Sequence, residues 1–122
     1  MKESILRIKS KEFARQIIFL CRKLKSNNIE YALINQLIRS GTSIGANIHE
    51  AQYAHGKKDF AYKLEVSLKE CNETDYWIDL LYETQSLTED DYKKIKPNII
   101  ELRRMLVSAI NTVNKQLQTV GN

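Results

Sequence analysis

The chain has 122 residues, a formal net charge of +4, 43% hydrophobic and 28% charged residues, one proline and two cysteines. These values suit a single domain with its own core and exclude a collagen-like, low-complexity or disulfide-stapled chain. No apolar run approaches the ~20 residues of a membrane span, and residues 1–26 carry eight Lys or Arg where a secretory leader needs a long apolar core. The cytoplasm is therefore the expected compartment, with no membrane partner.

The charge is unevenly spread. Residues 1–25 hold eight basic and two acidic side chains, whereas residues 57–84 hold four and seven. The pattern predicts either adjacent helices that neutralise one another or a basic face for a polyanion.

The first helix is predicted over residues 10–26, with Ser10 as N-cap and Phe13, Ile17, Leu20 and Leu24 spaced as a buried seam. On a helical wheel Lys11, Arg15, Arg22 and Lys25 cluster within roughly 80° of arc on the side away from that seam. They read as a solvated face or as a stripe facing phosphates. Residues 1–9 are expected to be less ordered, although Ile5, Leu6 and Ile8 could extend the helix backwards. Lys25-Ser26-Asn27-Asn28 reads as a turn, because Ser and Asn side chains compete for backbone hydrogen bonds.

The second helix, predicted over residues 31–54, carries the stretch around which the rest of the chain is organised, Gln36 to Ala54. Gly41 and Gly45 stand four apart, Ser43, Ala46 and Ala51 add small side chains, and Leu37, Ile44 and Ile48 keep one side apolar. Each glycine inside a helix costs about 1 kcal/mol relative to alanine, so close approach of a neighbouring helix is the expected compensation. His55-Gly56 should end this helix through a left-handed glycine.

A third helix over residues 57–85 points Phe60, Leu64, Leu68, Cys71, Ile78 and Leu81 inward. Val66, Trp77 and Leu80 form a second apolar edge roughly 100° or more away, which either covers the bundle itself or meets another subunit.

The fourth helix, residues 88–117, starts on a Thr88 cap with Asp91 three residues on, acids in the first turn and a Leu87 to Tyr92 staple. Tyr92, Ile95, Ile99, Leu102, Leu106, Ala109, Val113 and Leu117 sustain its inward seam. An interior proline costs about 3 kcal/mol, so Pro97 predicts a kink or short break near Lys93 to Lys96. Residues 119–122 are expected to fray.

Four amphipathic helices, short connections and no strand signal give an all-α, up-down-up-down four-helix bundle spanning residues 1–122 as one domain. Phe13, Leu37, Ile44, Ile48, Leu64, Leu68, Leu102 and Leu106 are its expected core. Cys21 and Cys71 fall on apolar faces and read as reduced core thiols.

Several motifs go beyond periodicity. The run Leu37-Ile-Arg-Ser-Gly-Thr-Ser-Ile-Gly-Ala-Asn-Ile, then Glu50-Ala-Gln, Lys57-Lys-Asp-Phe, Lys63-Leu, Ser67-Leu-Lys-Glu, Glu73-Thr-Asp-Tyr-Trp and Leu80-Leu resembles the four-helix-bundle family encoded in intervening sequences of bacterial 23S ribosomal RNA genes. The accessory variability determinant of diversity-generating retroelements looks like a relative. The motifs cover about residues 36–82 and depart from the family pattern at Gly56, where a Ser cap is often seen. The resemblance implies a small basic bundle assembling as a homopentameric ring, with a role in binding nucleic acid rather than in catalysis.

Catalytic patterns are missing from the sequence. The only histidines, His49 and His55, have Ala46 and Gln52 three residues before them, so the paired Glu-x-x-His of di-metal bundles is absent, and no metal or other cofactor is expected. There is also no Cys-x-x-Cys, glycine-rich phosphate loop or Gly-x-Ser-x-Gly elbow, and no enzyme is expected. Asn47, Glu50, Glu70 and Glu73 read as a polar network fixing helix register or as the lining of a cleft, with register favoured. Two functions stay open: a homo-oligomeric accessory protein gripping RNA or DNA phosphates, or a scaffold that recruits a partner enzyme without touching nucleic acid.

Overall fold

The computed structural model describes residues 2–121 and contains four helices: α1 (Lys2–Ser26), α2 (Tyr31–Ala51), α3 (Lys57–Glu83) and α4 (Glu89–Gly121). Helix α1 packs on α2, α2 on α3, and α3 on α4, while α1 closes the ring more loosely against α4. Among the described residues the backbones of diagonal helices stay apart, which is the expected up-down-up-down order of an all-α bundle. No helix among the described residues is long and apolar enough to cross a membrane.

The core runs the length of the bundle through Phe13, Ile17 and Leu24 of α1, Leu37 and Ile44 of α2, Leu64, Ile78 and Leu81 of α3, and Ile99, Leu102 and Leu106 of α4. Both cysteines are free and buried, and desolvation pushes the Cys21 thiol up to about 11 and the Cys71 thiol up to about 12.

Several boundaries differ from expectation. Helix α1 begins at Lys2, so residues 2–9 are helical and Ser10 lies in mid-helix rather than at a cap. Its buried hydroxyl donates to the Arg7 carbonyl. Leu6 explains the extension: placed one helical repeat before Phe13, it continues the seam and is buried. Helix α4 likewise runs on to Gly121, because Ile110 and Val113 are still buried. What was expected of Met1 and Asn122 lies outside the described residues. Helix α2 stops at Ala51, before a turn over residues 52–54, and Gly56 starts α3 instead of ending α2. With φ of +132° it occupies a region that L side chains rarely adopt. Its carbonyl accepts from Phe60 N–H, while the Asp59 carboxylate accepts from His55 N–H.

Pro97 causes no break, and α4 is one continuous helix through it. Ile95, Ile99 and Leu102 are buried on either side, so tertiary packing outweighs one lost backbone hydrogen bond. The Thr88 cap forms as expected, its hydroxyl accepting from Asp91 N–H at 3.1 Å. Helix ends at Asn28 and Gln85 use left-handed residues, with Ile29 N–H bonded to the Leu24 carbonyl and Ser86 N–H to that of Leu81.

Helix α3 is rotated relative to its expected inward stripe. Phe60 and Leu68 are only partly buried, and Ser67 and Thr74 take fully buried positions. Each hydroxyl is satisfied: Ser67 donates across to the Ile44 carbonyl of α2, and Thr74 to the Glu70 carbonyl, both at 2.8 Å. A small hydroxyl lets α2 and α3 approach more closely than leucine would.

Candidate nucleic-acid interface and the outer edge of α3

Gly41 and Gly45 face α1. A β-carbon on Gly41 would lie 2.9 Å from both γ-carbons of Ile17, and one on Gly45 would lie 3.3 Å from the Ser10 backbone oxygen. The two glycines therefore bring the α2 backbone against α1, fixing where the basic side chains of α1 emerge.

Those side chains divide into two sets. Lys9 pairs with Glu101 at 3.2 Å and Lys23 with Asp91 at 2.8 Å, so the flank of α1 facing α4 is neutralised by α4 acids. The Asp91 carboxyl is held below the usual carboxylate range, first by its hydrogen bond from Lys23. Lys11, Arg15, Arg22 and Lys25 are all exposed and make no ion pair among the described residues. Arg22 lies over the exposed ring of Phe19, 5.6 Å from its centroid. Among the described residues no ion pair joins α1 to α3 of its own chain, so the acidic surplus of α3 does not neutralise this stripe.

The structure adds Arg7, exposed and likewise without an ion pair among the described residues. It stands one turn before Lys11 on the same arc, and was overlooked only because the helix was expected to start at Ser10. Its i, i+4 spacing from Lys11 was the available signal. Arg7 and Lys11 form the rim of a groove of about 560 Å³ between α1 and α2, with Ala14, Gly45 and Ala46 in its lining.

On the outer side of α3, Val66, Trp77 and Leu80 are each partly buried. Trp77 packs against the core, and its indole N–H donates to Glu73 at 3.0 Å. Tyr76, largely exposed, meets Trp77 edge-on with ring centroids 5.0 Å apart.

Glu70 and Glu73 both accept from Arg39, joining α3 to α2, and Lys63 reaches back to Glu50 at 3.3 Å. These carboxylates bridge helices, as a register network does. Asn47 takes no part in it, since its amide donates within α2 to the Ser43 carbonyl.

A larger network joining α3 to α4 was not foreseen. Asp75 accepts from Lys96 at 2.5 Å and from Arg103 at 2.8 Å, Lys96 also reaches Asp79 at 2.8 Å, and the Tyr92 hydroxyl donates to Asp79 at 2.8 Å. Burial opposes ionisation of Asp75, yet the two cationic donors outweigh it and hold its carboxyl below the usual range. The i, i+4 pair of acids on α3 opposite Lys96 and Arg103 on α4 was its signal in the sequence. No group of His, Cys, Asp or Glu suited to hold a metal occurs among the described residues.

No functionally curated protein matches the chain. Among solved structures, the fold is similar to a 1.70 Å crystal structure of a protein of unknown function from the S23 ribosomal protein family of Bacteroides thetaiotaomicron VPI-5482. The two chains are 42% identical with a TM-score of 0.87, and the match covers 91% of this chain and 99% of that one. Residues 2–108, from the first turn of α1 to beyond the middle of α4, match the family described as 23S rRNA-intervening sequence protein. On the match over most of its length, the chain belongs to the 23S rRNA-intervening sequence protein family.

Proposed function

We propose that the protein is a non-enzymatic accessory protein that binds nucleic acid in the cytoplasm, in association with ribosomal RNA intervening sequences, which the family match favours over a retroelement. The observation that carries this reading is the row of five exposed cations on α1, Arg7, Lys11, Arg15, Arg22 and Lys25, none with an ion pair among the described residues, in a member of a family described by an rRNA element. Their neighbours Lys9 and Lys23 are neutralised by α4, so the bundle leaves one arc of α1 charged and exposed. Such an arc suits phosphates rather than base edges, and affinity from it depends steeply on salt.

A single chain at +4 is a weak polyanion ligand. In the proposed assembly, a homopentameric ring joined along the Val66, Trp77 and Leu80 edge of α3, five copies carry +20 in all and repeat the stripe at regular intervals. Several weak phosphate contacts then act together.

The test is a mobility shift with a labelled RNA hairpin and a labelled DNA duplex, each at two salt concentrations. On duplex DNA each neutralised phosphate contributes about −0.9 to the slope of log affinity against log salt. The double substitution Arg15→Gln and Arg22→Gln should flatten that slope and weaken all sequences alike. Wild-type protein that shifts neither probe at low salt would overturn the reading in favour of a scaffold that recruits a partner enzyme.

A further inference from the structure

The groove rimmed by Arg7 and Lys11 does not end at α2. His49 lines it and also lines a second depression of about 530 Å³ over the α2–α3 turn, together with Tyr53, His55, Asp59 and the Lys63–Glu50 ion pair, so the cations left for phosphates are Arg7 and Lys11 of the first groove. Resting on the phosphate-binding reading above, we infer that this continuous surface takes an unpaired, single-stranded stretch of RNA, with phosphates on Arg7 and Lys11 and a base stacked on Tyr53.

Three features carry the inference. Arg7 and Lys11 stand one helical turn apart, about 6 Å along the axis, a spacing that lets successive phosphates of an extended strand meet successive cations. Beside Ile8 and Thr42 the lining is small, Ala14, Gly45 and Ala46, so on the α2 side a sugar-phosphate chain can come close to the helix backbone. Tyr53 is 71% exposed, the most exposed large hydrophobic side chain described, and of the exposed tyrosines it is the one that shares a depression with a residue of the Arg7–Lys11 groove, His49.

The aromatic platform is oriented. His49 meets the Tyr53 ring edge-on, with centroids 5.6 Å apart. The Gln52 side-chain amide lies 3.2 Å from His49 Nδ1 and holds the imidazole in place beside Tyr53. Base stacking of this kind tolerates any sequence, because every base has a π-face. Duplex RNA keeps its bases within the helix and gains nothing from Tyr53, so the surface distinguishes unpaired from paired RNA rather than one sequence from another.

The test uses the full chain and three probes: a single-stranded oligouridine, the same strand with abasic residues, and a blunt RNA duplex. Tyr53→Ala should weaken oligouridine binding about tenfold, leave the blunt duplex unchanged, and have no effect on the abasic strand. Tyr53→Phe should restore wild-type behaviour, since stacking does not need the hydroxyl. Circular dichroism of Tyr53→Ala should match wild type, the residue being an exposed turn position. The inference is overturned if Tyr53→Ala binds oligouridine as wild type does, or weakens all three probes equally. If wild-type protein binds none of them, the phosphate-binding reading falls first. If it binds all of them with no dependence on bases or on Tyr53, only the present inference falls.

Discussion

Substituting Gly41 by alanine measures how tightly α1 and α2 are pressed together. Helix propensity alone favours the change by about 1 kcal/mol. The new methyl group, however, would lie 2.9 Å from both Cγ1 and Cγ2 of Ile17 and 3.3 Å from its Cβ. Those atoms cannot swing aside: Ile17 is fully buried, and a β-branched side chain in a helix has essentially one χ1 rotamer. Relief must come from separating the helices, and overpacking of this kind costs about 1–3 kcal/mol. The net expectation for Gly41→Ala is a loss of about 1 kcal/mol, and for Gly41→Leu several times that. For a chain of this length 1 kcal/mol corresponds to roughly 4 °C in Tm. Thermal unfolding followed by circular dichroism, at one fixed protein concentration, is a sufficient assay. Ile17→Ala alone should cost about 2–5 kcal/mol, but it removes both clashing γ-carbons, so the double variant should be more stable than additivity predicts by at least ~1 kcal/mol. A Gly41→Ala protein melting at or above the wild-type temperature, or a strictly additive cycle, would refute the close-packing account.

The depressed pKa of Asp75 stabilises the fold above the ordinary carboxylate range, and that stability is lost as pH falls through the lowered folded-state value; Asp75→Asn should be about 2 kcal/mol less stable at neutral pH and lose less on acidification below about pH 4, as urea titrations at several pH values would record. Pro97→Ala restores a backbone donor in mid-helix at an exposed position and should raise stability by about 1–2 kcal/mol; an unchanged or lower Tm would mean the helix gains nothing from that donor. Trp77→Glu should lower the molar mass seen by light scattering while leaving helicity intact, whereas wild-type protein that is already monomeric at roughly 50 μM, well above a ~1 μM Kd, would exclude the α3 edge as a subunit contact.

Much of this protein follows from its sequence read locally. An amphipathic period gives each helix and, for α1, α2 and α4, its inward face, because burial repeats with the helical turn, and the Thr88 cap is legible because it is a hydrogen bond between near neighbours. The glycines at 41 and 45 announce a close contact without saying with what. Only tertiary packing decides that the contact is α1, that Ser67 is buried in preference to Leu68 because the Ile44 carbonyl lies within reach, and that α4 stays helical through Pro97. The functional surface depends on packing even more. Eight basic residues in the first 25 look alike in the sequence, but α4 places acids against Lys9 and Lys23 and none against the exposed Arg7, Lys11, Arg15, Arg22 and Lys25 among the described residues. Tyr53 and His49 lie some forty residues beyond Arg7 and Lys11 in the chain, and they share one surface only because α2 runs antiparallel to α1. Charge and periodicity are properties of a segment; which charges are neutralised, and which aromatic ring stands beside them, are properties of the neighbours that the fold brings in.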